Sequence, residues 1–272
     1  MKSSKSQKKQ KNVHIAERKY KLGTKIYIAA PLSYMKEIKS QKPKRILESF
    51  FWLKSGNKRD FMDFVINEIG NENFLLDSGA FSFMNSGKKV IWDEYITKYI
   101  KFINKYDVKY FFELDIDSIV GYENVLKIRK RIENETSKKC IPVWHRSRGL
   151  QEWEKMCESY DFVAIGGLAI KHIKKNEYKY LNELIKIAHK KKCKVHGLGF
   201  TPMDILQYKF DTSDSTSWKM ASRAGNIYKF ENNRIKTLRR PVEFQNLKVD
   251  HKKVIEHSLK EWNKFINYVE RN

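Results

Sequence analysis

Short apolar runs alternate with longer stretches of helical periodicity along most of this chain, and few architectures accept that alternation. The strand-like runs are "KIYIAA" (25–30), "NFLLD" (73–77), "VKYFFELDI" (108–116), "CIPVWH" (140–145), "FVAIGGLA" (162–169), "KVHGLGF" (194–200) and the more polar "FDTSD" (210–214). The clearest helix between them is 92–106, where Tyr95, Tyr99, Phe102 and Ile103 share one face at i, i+4, i+7 and i+8. Further helices are predicted at 123–135, 151–159, 177–191 and 251–271. Strand-then-helix repetition predicts βα units around a parallel sheet. With 272 residues there is room for one large core, and single α/β barrels run to about 250 residues, so one domain over 13–272 is expected.

After Asp214 the pattern loosens. "NIYKFENNRIKTL" (226–238) reads as a hairpin turned by Asn232 and Asn233. Either an eighth strand lies in that region or the sheet is irregular at its last strands. At the other end, "MKSSKSQKKQKN" (1–12) is polar, basic and without large apolar side chains, and is expected to be a flexible tail.

Charge narrows the choice of partner. Lys+Arg total 55 against 32 Asp+Glu, a formal net charge of +23. That excess favours a polyanion, nucleic acid before membrane, because no basic amphipathic anchor helix stands out. A lysine-rich composition set by an A/T-rich genome is the plainer alternative. Cys140, Cys157 and Cys193 are widely spaced and odd in number, which predicts a reducing interior with neither a disulfide frame nor a metal site. No apolar run approaches the about 18 residues of a membrane span, so a cytoplasmic protein is expected.

In parallel α/β sheets the carboxyl ends of the strands carry the chemistry. Here those ends hold Asp77, Asp115 with Asp117, His145, Gly166 with Gly167, Gly199, and Asp214. A single aspartate at such an end is often only the N-cap of the next helix. Acids and an imidazole from four segments, with glycine turns between them, exceed what a structural sheet needs.

The same segments carry a resemblance. "DSGAFSF" (77–83) resembles the D-S-G-G-[FY]-Q segment of tRNA-guanine transglycosylases. "AIGGLAI" (164–170) resembles their G-G-L-A-V-G, and "HGLGFTPMDIL" (196–206) is similar to their M-G-V-G-T-P-x-D-[LI]-L. "FDTSDSTSW" (210–218) resembles the region of their nucleophile, with Asp214 in its place. The resemblance spans about residues 73 to 218. It implies a TIM-type (β/α)8 barrel that exchanges a guanine base in a polynucleotide for a 7-deazaguanine without cutting the strand.

The chemistry asks for two carboxylates. An N-glycosidic bond breaks through an oxocarbenium-like carbon, so Asp214 as nucleophile would hold the sugar covalently. By resemblance Asp77 is the general acid and base, and Ser78 and Gly79 beside it are small enough to let a substrate approach. For base recognition, Asp115 or Asp117 is the acceptor; strand alternation puts both, with Glu113, on one face. His145 stands where the family has Gln and is a candidate donor to the base. The paired glycines suggest backbone donation from Gly166, Gly167 and Leu168, or else only a tight turn.

Three departures from the tRNA enzymes point to DNA: no zinc-binding cysteines after the nucleophile, D-S-T-S-W where they have P-T-R, and a short chain. These features resemble DNA-guanine transglycosylases of phages and some bacteria. The partners so implied are DNA and a base such as 7-cyano-7-deazaguanine, with no cofactor. A stacked guanine must be flipped out or single-stranded to be reached. Trp144, Phe200 and Trp218 are candidates to fill the vacated stack, although aromatics of this kind are more often simply core. Lys219, Arg223, Lys229, Arg234, Lys236, Arg239 and Arg240, interleaved with Tyr228 and Phe230, are candidates for the backbone. A zinc-free tRNA enzyme, a hydrolase leaving an abasic site, and a non-enzymatic nucleic-acid-binding barrel are the alternatives.

Overall fold

The computed structural model describes residues 23–53, 58–80, 82, 90–241, 243 and 249–272. The expected basic tail at 1–12 lies outside them. Seven strands form one sheet: β1 (Lys25–Ala29), β2 (Ile46–Ser49), β3 (Phe74–Asp77), β4 (Val143–Trp144), β5 (Phe162–Ile165), β6 (Lys194–Gly197) and β7 (Thr212–Ser215). Every neighbouring pair is parallel, in the order β3-β2-β1-β7-β6-β5-β4.

The two edge strands are both met by the segment 110–114. Leu76 pairs with Phe111 and Phe112 with Ile141, both parallel. The amides of Leu76 and Phe112 donate to the carbonyls of Tyr110 and Leu76, each at 3.0 Å, and Glu113 N donates to Ile141 O at 3.0 Å. The sheet is therefore curled, with a concave and a convex face.

Both faces are apolar, as a parallel sheet covered on each side requires. Along β1, Ile26 and Ile28 join the cluster under the helices, while Tyr27 and Ala29 join a separate interior cluster with Leu47, Leu75, Phe112, Ile141, Val143 and Ala164. The helices of seven residues or more are α1 (Met35–Gln41), α2 (Lys58–Phe64), α3 (Trp92–Lys105), α4 (Tyr122–Thr136), α5 (Gly149–Ser159), α6 (Leu181–Lys190) and α7 (His251–Arg271). The face predicted for 92–106 is the buried one: Tyr95, Tyr99, Phe102 and Ile103 all lie inside. Asp250 caps α7, its carboxylate accepting from the amides of Lys252 at 3.1 Å and Lys253 at 3.2 Å.

Two features differ from the sequence expectation. The strand that the apolar pattern does not reveal is β2, "ILES", which pairs with both β1 and β3. No strand of the sheet lies in 226–238. That stretch is a separate antiparallel hairpin, β8 (Ile227–Glu231) and β9 (Arg234–Leu238), turned by Asn232 and Asn233, both at positive φ as expected for such a turn. The hairpin lies on α7, where Tyr228 stacks edge-on with Trp262 and Phe230 packs against Phe265.

Candidate active site

A cavity of about 320 Å³ opens at the carboxyl edge of the sheet. That is large enough for a purine-sized ligand, at the lower end of known binding pockets. Its walls come from the ends of all the parallel segments: Ala29 and Ala30 after β1, Glu48 and Ser49 on β2, Asp77 on β3, and Asp115. The circuit continues through His145, Gly166 and Gly167, Leu198 and Gly199, then Asp214 and Ser215 on β7. The two acids assigned to the chemistry, separated by about half of the chain, share this space.

Asp214 is almost fully buried, and one of its oxygens is fully engaged. Oδ1 accepts from the Gly199 amide at 2.7 Å and lies 3.2 Å from His196 Nε2. Oδ2 has no hydrogen-bond partner among the described residues. Gly199 thus serves the carboxylate as well as lining the cavity.

Asp77 is recessed at the end of β3, in register beside Ser49. Burial, with the charge of Asp115 adding to it, pushes its pKa up to about 7, against the opposing effect of the Ser49 hydroxyl and the Gly79 amide. Gly79 N donates to Asp77 Oδ2 at 3.0 Å. Gly79 has φ +84, and a Cβ there would stand 2.7 Å from Phe51 Cβ, so only glycine allows this turn. Ser78 is wholly buried, its carbonyl accepting from Tyr95 OH at 2.7 Å. Neither Ser78 nor Gly79 lines the cavity: they shape the support of Asp77, and the open approach expected of them is not what they provide.

Across the cavity His145 Nε2–H donates to Asp115 Oδ2 at 3.1 Å. Burial raises the Asp115 pKa despite that partner, while burial of His145 is outweighed by the carboxylate and its pKa also rises. Gly166 makes the arrangement possible, since a Cβ on it would come within 2.6 Å of His145 Cε1.

Of the two aspartates that the sequence left as alternatives, Asp115 lines the cavity. Asp117 does not reach the cavity. Arg148 holds it in a two-pronged pair, Nε and Nη2 each donating at 2.7 Å, and these bonds outweigh burial to lower its pKa. Glu113 is likewise internal, accepting from Arg129 at 2.6 Å, Arg148 at 2.9 Å and Val143 N at 2.8 Å. The three acids therefore do not share one face: Glu113 and Asp117 meet at Arg148 while Asp115 lines the cavity, and before Asp117 the backbone leaves the extended form at Ile116, with φ −102 and ψ 31.

Backbone donation is also redistributed. The Gly166 amide is taken by Trp144 O at 2.9 Å, so it is not available to a ligand. Gly167 has its amide unbonded among the described residues and lines the cavity; Leu168 turns into the core.

Four residues of the site carry no signal in the sequence pattern. Glu48, 1% exposed, accepts from the amides of Leu32 and Ser49, each at 2.8 Å, and burial pushes its pKa up to about 7. Ser49 and Trp52 follow on from the same strand, and His196 stands behind Asp214. Of the aromatics named as candidates for the rim, Trp144, Phe200 and Trp218 are all buried in the core; among the described residues Trp52, 54% exposed, is the large ring at the cavity mouth.

The basic set is spread out. Lys219 approaches Ala30 O at 3.5 Å near Glu48, and burial lowers its pKa. Lys229 and Lys236 both pair with Glu231 on the hairpin, while Arg223, Arg234 and Arg239 are exposed and Arg240 is partly so. Tyr228 and Phe230 face α7 and are not interleaved at the surface.

Fold and site together define an α/β protein with a curled parallel sheet and an acid-lined cavity at the carboxyl edge of its strands. Among solved structures, one from Aquifex aeolicus VF5 is similar at 10% sequence identity and a TM-score of 0.48, over 92% of this chain and 95% of that one. No family model and no curated protein matches the chain. Among the described residues no helix is long and apolar enough to cross a membrane.

Proposed function

We propose that the protein is a base-exchanging transglycosylase that replaces guanine in DNA by a 7-deazaguanine such as 7-cyano-7-deazaguanine, on a (β/α)8 barrel whose fourth strand is the segment 110–114. The observation that carries this reading is the meeting of Asp77 and Asp214 in one cavity, with the Asp115–His145 pair on its wall.

Asp214 attacks C1′ of the target nucleotide through Oδ2, the oxygen without a hydrogen-bond partner among the described residues. The C1′–N9 bond breaks as the C1′–O bond forms, and Asp77 in its acid form gives its proton to the departing guanine. A pKa near 7 suits Asp77 to both halves of the exchange. As a carboxylate it then takes the N9 proton of the incoming base, whose nitrogen attacks C1′ and restores free Asp214.

The planar ligand lies between the Gly167 amide and the Asp115–His145 pair, which supply a donor, an acceptor and an imidazole to its edge. Trp52 at the mouth offers a face on which a base next to the flipped nucleotide stacks.

Exchange of radiolabelled guanine, measured with duplex DNA, single-stranded DNA and tRNA side by side, tests this reading. Label entering DNA supports it. Label entering only tRNA moves the substrate to RNA, an abasic product makes the protein a hydrolase, and no reaction with any polymer removes the activity.

A further inference from the structure

His196 is entirely buried, yet both of its ring nitrogens are engaged. Nδ1 is 2.7 Å from Thr212 Oγ1 and Nε2 is 3.2 Å from Asp214 Oδ1. The ring sits among Phe112, Tyr27 and Phe162, at centroid distances of 5.2, 6.3 and 6.4 Å. An apolar cage is a costly place for an imidazole whose only need is packing; a phenyl ring would fill it without leaving polar atoms to satisfy.

The two contacts fix the direction of the hydrogen bonds. A carboxylate oxygen only accepts, so Nε2 must carry the proton that lies between it and Oδ1. The Thr212 hydroxyl rotates freely and donates to Nδ1, which sets that tautomer. Thr212 and Asp214 are alternate residues of β7, and His196 pairs with Thr212 across the β6–β7 ladder, so one strand register places all three groups.

We propose that His196 is a positioning residue for Asp214, held by Thr212, and that with the Gly199 amide it ties down Oδ1 so that Oδ2 alone faces the substrate. This rests on the assignment of Asp214 as the attacking group. Two fixed donors on one oxygen keep the carboxylate from rotating. When the incoming base displaces the sugar from Oδ2, the same donors receive the charge that returns to the carboxylate.

The consequence is a loss confined to chemistry. His196→Phe keeps the shape of the cage and removes the donor, whereas His196→Gln returns an N–H near the position of Nε2. Single-turnover release of guanine from DNA is expected to fall roughly 10²-fold in His196→Phe, while the KM for the incoming base, read in steady-state exchange, is unchanged. His196→Gln recovers most of that loss, at equal thermal stability. A wild-type rate in His196→Phe, or equal losses in the Phe and Gln variants with both folded, overturns the proposal. Should His196→Phe fail to fold, Thr212→Val reads the same relay, with about a tenfold fall expected and an unchanged rate overturning it. If the unaltered chain releases no guanine from any polymer, it is the transglycosylase reading that fails, and the positioning role falls with it.

Discussion

Asp115 and His145, 30 residues apart, meet at 3.1 Å on the cavity wall because Gly166 leaves the imidazole room to lie there. The pair places a carboxylate acceptor beside an imidazole whose Nε2–H is committed to it, so that Nδ1 is a second donor in the protonated ring, the form that the raised His145 pKa favours. Replacing Asp115 by Ala is expected to raise the KM for the incoming base roughly 10²-fold, since a ligand N–H and His145 both lose their acceptor. Gly166→Ala, at a residue whose amide is already bonded to Trp144 O, should reproduce part of that effect by displacing His145. Base-exchange kinetics against base concentration measure both.

The raised pKa values make a statement about stability. Asp77 and Glu48 have native values near 7, above those of free carboxyl groups. Between about pH 4 and about pH 7 the native state therefore holds protons that the unfolded chain has released, and these two groups weaken the fold as pH rises through that window. Asp77→Asn has no charge to bury. Its unfolding free energy relative to wild type should improve from about pH 5 to about pH 8, measured by urea denaturation; a difference constant with pH contradicts the assignment.

Much of the site was legible at the strand ends, and the failures have local causes. Asp77 could be found because it ends the apolar strand Phe74–Asp77 at the carboxyl edge, whereas Asp214 lies inside the polar strand Thr212–Ser215 and was marked by the resemblance of the segment 210–218. β2 was hidden because it is four residues long, carries Glu48 in its middle and passes into the Phe50–Leu53 turn of helix without a break, so neither length nor alternation marked it. With β2 went Ser49, Glu48 and Trp52. Asp117 was misplaced because period-two alternation assumes an extended backbone, and Ile116 is not extended. That Trp144, Phe200 and Trp218 fall in the core and Trp52 at the mouth is not legible, because a sequence does not say which aromatic its helices cover.

Behind the Asp115–His145 wall, Arg148 is 2% exposed and joins Glu113 to Asp117, with its guanidinium 4.3 Å from the centre of the Tyr122 ring. Removing the cation leaves two carboxylates in the interior facing each other with less compensation. Arg148→Met should cost about 3–5 kcal/mol in denaturant unfolding, whereas Arg59→Met, breaking an exposed pair with Asp63, should cost less than about 1 kcal/mol.

Trp52 is the aromatic ring that a nucleic acid would meet at the cavity mouth. Trp52→Ala is expected to weaken binding to single-stranded DNA by about 1–3 kcal/mol, with the slope of log K against log salt unchanged. Substituting Arg234 and Arg239 together should instead flatten that slope. Fluorescence anisotropy of a labelled oligonucleotide across a salt series separates the two effects.

The central claim is that Asp214 holds the sugar covalently while the base is changed, and the most direct measurement is to trap and map that bond. The full chain is mixed with guanine-containing DNA and no acceptor base, quenched in detergent, digested with trypsin and nuclease, and analysed by mass spectrometry. The account predicts a deoxyribosyl adduct on Asp214 within the peptide 210–219, absent from Asp214→Asn and discharged when 7-cyano-7-deazaguanine is added before the quench. An adduct mapped to any other residue, or active exchange with no adduct at all, would contradict it.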